Sequence, residues 1–382
     1  MTSERNERAD VNAGFQPPPY PYDRLDPLKA LAAAHEGGLV DLSVGTPCDP
    51  PPAAILVALG ASGAEAGYPP SIGSSAFREA STDWLRRRFG VDVPGADVAA
   101  CVGTKEFVAS LPHLLRLRRP DKDTVLFPAV SYPTYAMGAL LAGCRAVPVA
   151  VDDRWRLDLG SVEAADAERA LCLWVNTPAN PTGAVDDLVA AATWGRAAGV
   201  PVFSDECYVE FTWAGPGHTI LESGLDGVVA VHSLSKRSNM AGLRAGFYAG
   251  DPNLVHYLSE VRKHAGLMVP GPVQLAAGVA LEDDEHVDAQ RERYRERLAL
   301  LRAAFDEAGI EVTAPQGTFY LWVPVPDGDA WAFTERLAKE GGVLVSPGEF
   351  YGADGRGHVR VAAVQPTARI DLAARRIEAL KF

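Results

Sequence analysis

Cysteine is scarce in this sequence, five in 382 residues, at positions 48, 101, 144, 172 and 207. No two are spaced as CxxC, so the common zinc and dithiol motifs are missing. The number is odd, which suits reduced core thiols in a cytoplasmic protein better than a disulfide framework. Long hydrophobic runs are also lacking. No window approaches the ~20 apolar residues that cross a bilayer. Excess positive charge is absent too: the net charge is −13, which argues against a binder of nucleic-acid phosphates. The opening "MTSERNERADVNAGF" has no apolar core and does not read as a secretory signal. A mobile tail is expected over 1–14, then a Pro-rich arm, "QPPPYPYD", within 15–45. There is no internal repeat and no cluster of residues spaced as metal ligands.

What is present is a soluble, globular composition, 47% hydrophobic and 22% charged. Seven short apolar runs follow one another: "VAACVG", "TVLFP", "RAVPVAV", "LCLWVN", "VPVFSDE", "VVAVHS" and "AGFYAG". They are near-continuous rather than alternating, the pattern of strands buried on both faces. Amphipathic stretches such as "FVASLPHLLRL" and "VDDLVAAATWGRAAG" lie between them. Together they predict an α/β unit over 46–284, a mostly parallel seven-stranded sheet flanked by helices. After residue 284 the texture changes. A long charged helix, then a strand, a helix, a second strand and a closing helix predict a smaller α+β unit over 285–382, which the 15–45 segment partly joins.

In parallel sheets ligand-binding groups gather at the carboxyl ends of the strands. Several such ends here carry polar residues. "CVGTKEF" places Gly103, Thr104 and Lys105 where a strand turns into a helix, with backbone N–H groups available to an anion. "WVNTPANPTG" places Asn180 in a Pro-bracketed loop. "VFSDECY" places Asp205 and Tyr208 after an apolar run, and a buried carboxylate there is costly unless it meets a cation. "VHSLSKRSNMAGLRAGF" adds Ser233, Ser235, Lys236 and Arg244.

A ligand matching this set has an anionic group, a protonated ring nitrogen, an acceptor oxygen and a group that one lysine can reach. Pyridoxal phosphate has all four. Gly103, Thr104, Ser233, Ser235 and Arg244 would take its phosphate, and Asp205 its ring nitrogen. Asn180 and Tyr208 would take the ring oxygen, and Lys236 would hold it covalently and move protons. Each residue has a plainer reading when taken singly. Asn180 suits an ordinary turn, Asp205 a helix cap, Tyr132 core packing and Arg360 a surface position on a strand. His232 and His264 read as packed histidines.

The order of "NPTG", "SDE-Y", "SLSK" and "R-G" resembles the fold-type I pyridoxal-phosphate enzymes, specifically the class I/II aminotransferases, from about residue 38 to 370. That resemblance implies a homodimer with shared active sites. It also implies Tyr132 stacking on the cofactor ring, Arg360 pairing with the substrate α-carboxylate, and Gly45 near that carboxylate. Tyr68 would reach the partner's cofactor phosphate. "VDLSVGTP", "TKEFVASLPHLL" and "EVRKHAGLMVPGPVQ" look like the actinobacterial succinyldiaminopimelate aminotransferases. The implied reaction moves an amino group between glutamate and N-succinyl-2-amino-6-oxopimelate, in lysine and cell-wall biosynthesis. A lyase, replacement or C–C bond-forming enzyme on the same scaffold is the alternative. A long-armed substrate needs a second anchor, and Arg262, Lys263 or His264 is the expected source; a solvated helix end is the plainer reading of the first two.

Overall fold

The computed structural model describes residues 14–382. The expected tail, 1–14, lies outside the described residues except for Gly14. Seven strands form the central sheet: β1 (Val98–Cys101), β2 (Thr124–Pro128), β3 (Arg145–Val149), β4 (Ala170–Asn176), β5 (Val202–Asp205), β6 (Val228–Ser233) and β7 (Gly246–Gly250). Their spatial order is β1-β7-β6-β5-β4-β2-β3. All run parallel except β7, which is antiparallel to both of its neighbours.

Six of these strands are buried along their whole length, as their unbroken apolar runs predict. The exception is β3. Its run reads as a two-faced buried strand, yet Arg145 and Pro148 are exposed; β3 is one of the sheet's two edges. Proline removes a ladder donor, so an edge is where it is tolerated.

Helices cover both faces. The helix Ser75–Phe89 is capped by the Ser74 side chain, which accepts from the Phe77 N–H, and stops at Gly90 in the left-handed region. It buries Phe77, Trp84 and Leu85 against Phe247 and the sheet. Fully burying one such aromatic side chain contributes about 1.5–3 kcal/mol.

A second core lies around a three-stranded antiparallel sheet. Its strands are β8 (Tyr320–Pro324), β9 (Ser346–Pro347) and β10 (His358–Ala362), with β10 in the middle. The helices Glu285–Glu307 and Thr367–Leu380 pack together over it. Val40 and Leu42 belong to this core, and Val40–Asp41 pairs in parallel with Val343–Leu344. The chain therefore leaves the arm, enters the second core, and then crosses to the central sheet. Among the described residues no helix is long and apolar enough to cross a membrane. None of their His, Cys, Asp and Glu side chains cluster as a metal site.

Candidate active site

The parallel strands end side by side. Asn176 closes β4, Asp205 closes β5 and Ser233 closes β6, with Asn176 opposite Asp205 in the register. The reversed strand β7 starts at this same edge, since Gly246 pairs with both Ser233 and Cys101. Arg244, just before it, is thereby delivered to the strand ends. Strand β10 brings Arg360 from the second core. All of these open on one cavity of about 640 Å³.

The cavity brings together most of the sequence-predicted set. Thr104, Lys105, Ser233, Ser235 and Arg244 line it, as do Asp205, Tyr208, Asn180 and Tyr132. Lys236, Gly45 and Arg360 complete the wall. Gly103 does not line the cavity but caps the helix Thr104–Arg118 with φ +73°. A Cβ there would lie 2.1 Å from Arg244 Nη2, so glycine is required for the arginine to sit against the helix start. Gly45 is equally constrained: a Cβ would fall 1.9 Å from the Tyr320 hydroxyl. Its carbonyl accepts a short hydrogen bond from Lys236 Nζ.

Electrostatics at the centre are set by burial. Burial pushes the Lys236 pKa down to about 8, and the Arg360 and Arg244 charges work in the same direction. Burial also pushes the Asp205 carboxyl up, while hydrogen bonds from Cys207 and Tyr135 and the Lys236 charge pull it back. Asp205 accepts from the Tyr135 hydroxyl at 2.8 Å and the Cys207 N–H at 3.2 Å. The Tyr208 hydroxyl lies 2.9 Å from that of Tyr320, and burial holds it well above its usual range.

Arg360 is 2% exposed and lies between the rings of Tyr320 and Tyr351, 4.1 and 4.9 Å from their centroids. Burial works against its charge, but Tyr22, Tyr351, Tyr320 and Tyr208 more than offset this and hold its pKa above the ordinary value. Its Nη1 donates to Asn180 Oδ1 at 2.9 Å, and Nη2 to the Ser43 carbonyl at 2.6 Å. Among the described residues its Nε has no partner.

Tyr68, expected to act on a partner chain, is 99% exposed and does not line this chain's cavity. The three distal-anchor candidates do not line it either. Arg262 is turned inward, with Nη1 and Nη2 on the two carboxylate oxygens of Glu106 at 2.8 and 2.6 Å. Lys263 pairs at the surface with Glu260, and His264 is exposed at the helix end. A buried cation next to a carboxylate is consumed by it, and nothing in the local "EVRKHAG" text signals Glu106 as that partner. His232 is a packed histidine as expected, edge-on to Trp84 at 4.9 Å.

Sequence reasoning missed four tyrosines. Tyr20, Tyr22 and Tyr320 line the cavity, and Tyr135 stands behind Asp205. The one available signal was the pairing of aromatics with prolines in "PPPYPYD".

The residues fit pyridoxal phosphate. Asp205 is buried at 5% exposure and has no ion-pair partner among the described residues, which a protonated ring nitrogen would supply. Lys236 is desolvated and its pKa is lowered to about 8, so a larger share of it is neutral amine at physiological pH than for an ordinary lysine, as a covalent attachment point needs. Thr104, Lys105, Ser233, Ser235 and Arg244 line the cavity together, and Asp205 is the one carboxylate among the described residues that line it.

Comparison with known proteins agrees. A family model described as aminotransferase class I and II matches residues 38–377. A 4-dedimethylamino-4-oxo-anhydrotetracycline transaminase of Streptomyces rimosus is 44% identical, over 94% of this chain and 99% of that protein. An LL-diaminopimelate aminotransferase of Desulforudis audaxviator is 35% identical, over 94% of this chain and 95% of that protein. The solved structure of a probable N-succinyldiaminopimelate aminotransferase from Thermus thermophilus superposes with a TM-score of 0.86. It is 32% identical and covers 94% of this chain and all of that one. The chain belongs to the class I and II aminotransferases, and it is a pyridoxal-phosphate-dependent transaminase.

Proposed function

We propose that the enzyme exchanges an amino group between glutamate or 2-oxoglutarate and a long-armed dicarboxylic substrate of the N-succinyl-2-amino-6-oxopimelate type. One observation carries the reading. Arg360 is a buried cation facing the same cavity as Lys236, with an unpartnered Nε and only tyrosines, an amide and a carbonyl around it. A fixed guanidinium with spare donors suits a bidentate α-carboxylate. The names of the Thermus thermophilus and Desulforudis audaxviator relatives support a diaminopimelate-type arm.

In this reading the chain's residues divide the work. Arg244, Thr104, Ser233, Ser235 and the backbone after Gly103 hold the cofactor phosphate. Tyr132 covers one face of its ring, Asp205 keeps its nitrogen protonated, and Asn180 and Tyr208 hold its oxygen. When bound, the cofactor would supply an electron sink for the substrate α-carbon. Lys236 would hold it and would move the proton at the substrate α-carbon. Gly45 closes the wall by the carboxylate, and Arg360 orients it. Tyr68, so exposed in one chain, reaches the partner's phosphate in a homodimer.

Lys105 takes the distal role first expected of Arg262, Lys263 or His264. It lines the cavity beside Tyr20, whose hydroxyl lies 3.3 Å from its Nζ. The two separate cores support a division into a large unit over 46–284 and a small one over 15–45 and 285–382. All five cysteines are free thiols, which suits the reducing cytoplasm.

A second substrate reading has its own support. The Streptomyces rimosus relative acts on a polycyclic oxo compound by its name, and Tyr20, Tyr22, Tyr132 and Tyr320 give this cavity aromatic walls. Nothing supports the lyase or bond-forming alternative, since the named relatives are transaminases. The test is a donor panel against the purified enzyme. N-succinyl-LL-diaminopimelate should convert the bound cofactor to its amine form with a kcat/KM at least tenfold above alanine. Failure with it, and success with a polycyclic ketone acceptor, would select the second reading.

A further inference from the structure

The Pro-rich arm does more than pass by the cavity. Arg24 anchors it on the second core, through Glu349 at 3.1 Å and over the Trp331 ring at 4.5 Å. Leu25 is buried beside Trp322, Phe350 and Tyr351. These contacts hold Tyr22 edge-on to Phe350, with ring centroids 5.5 Å apart, and aim its hydroxyl at Arg360. That hydroxyl lies 3.2 Å from Arg360 Nη2 and 3.0 Å from the Tyr351 hydroxyl.

One arrangement of the protons satisfies both contacts and leaves Tyr22 free to donate. Guanidinium donates only, so the Tyr22 oxygen accepts from Nη2. A tyrosine oxygen has a second acceptor position, which the Tyr351 hydroxyl can fill by donating. The proton of Tyr22 is then left for a third group, since among the described residues its hydroxyl bonds only to Tyr351 and Arg360. A carboxylate drawn to Arg360 would be that acceptor.

We propose that Tyr22 is a specificity residue that donates its hydroxyl to the substrate α-carboxylate beside Arg360, so that carboxylate binding also pins the N-terminal arm. The proposal rests on the reading of Arg360 as the α-carboxylate site. Its ligand class is amino and oxo acids, as against amines and ketones that lack the carboxylate. Hydrogen bonds to a charged acceptor are strong enough for a selectivity of about 10- to 100-fold.

Two measurements on the holoenzyme test it. Single-turnover half-reactions with L-glutamate and with benzylamine, followed by cofactor absorbance, give a rate ratio that Tyr22→Phe should lower about 10- to 100-fold. Hydrogen exchange over residues 15–25 provides a readout independent of turnover. Maleate, an unreactive dicarboxylate, should slow exchange there in the parent enzyme and not in Tyr22→Phe. Tyr351→Phe should give the same changes at smaller size, because it removes only the group that orients Tyr22. An unchanged rate ratio in Tyr22→Phe, or equal maleate protection in both proteins, overturns the proposal. Arg360→Ala separates the two readings. A lowered ratio there with none in Tyr22→Phe removes the Tyr22 role alone, whereas no change in Arg360→Ala removes both.

Discussion

The hydroxyl of Tyr135 donates to Asp205 Oδ2 at 2.8 Å, from a ring stacked 5.1 Å from Trp174. Burial disfavours the ionised form of Asp205, and this bond is one of the few contacts favouring it. Tyr135→Phe should remove the bond with little change of shape. We expect kcat to fall about tenfold, which corresponds to roughly 1.4 kcal/mol of barrier. KM should move less than twofold, and the bound cofactor's absorbance should titrate at a shifted pH. Unaltered kcat and spectrum would show that Asp205 is held well enough by Cys207 alone.

Lys236 supplies a pH prediction. Burial lowers its pKa to about 8, from a usual value near 10.5. Only the neutral amine attacks a carbonyl, so capture of pyridoxal phosphate by the apoenzyme should speed up as pH rises, with a midpoint near 8. Stopped-flow absorbance between pH 6.5 and 10 checks this. A midpoint near 10 would mean that the side chain is solvated before the cofactor arrives. Lys236→Ala should keep its circular dichroism spectrum and lose turnover altogether.

The site was legible wherever a polar group follows an apolar strand. Asp205, Ser233 and the Gly103 turn are marked in this way, because the strand's hydrophobicity makes the next polar residue conspicuous. Arg244 was legible only by its company, and the reason it reaches the site is the reversal of β7. The tyrosines were not legible. Tyr135 and Tyr320 lie in apolar text that reads as core, and Tyr22 in an arm that reads as loose. Their functions depend on partners 70, 112 and 338 residues away in the chain. Edge position was missed for β3 for a similar reason. Whether a strand has one neighbour or two is decided by topology, and only Arg145 and Pro148 hinted at it.

Glu206 and His232 form a buried pair beneath the site, 3.4 Å apart. Burial raises the Glu206 pKa to about 8 and lowers that of His232 to about 3, so both are neutral near pH 7. The folded state then holds a proton on Glu206 that the unfolded chain releases above its usual pKa of 4.5. Stability from this group is complete below pH 4.5 and is lost as pH rises towards 8. Glu206→Gln keeps a neutral donor at every pH. Its melting temperature relative to the parent should therefore increase steadily from pH 5 to 8, by the equivalent of a few kcal/mol. A constant difference across that range would show that Glu206 is ionised in the fold.

Arg262 is the clearest contrast between a cation that looks available in sequence and one that is not. It is 1% exposed, lies over the rings of Phe107 and Tyr248, and holds both oxygens of Glu106. Glu106 sits in the first turn of the helix Thr104–Arg118 and also accepts from the Val102 N–H at 3.3 Å. Arg262 thus braces the helix whose first residues, Thr104 and Lys105, line the cavity. Arg262→Ala would leave the half-buried Glu106 carboxylate without its cation, a change that costs about 3–5 kcal/mol in fully buried pairs. The melting temperature should fall by several degrees. KM for glutamate and for N-succinyl-LL-diaminopimelate should change by the same factor, because the helix start serves both substrates equally. Replacing both partners, Arg262→Met with Glu106→Leu, should restore much of the lost stability by removing the orphaned charge. A selective rise of more than tenfold in KM for the succinyl substrate, with no loss of melting temperature, would instead return Arg262 to the role of distal anchor.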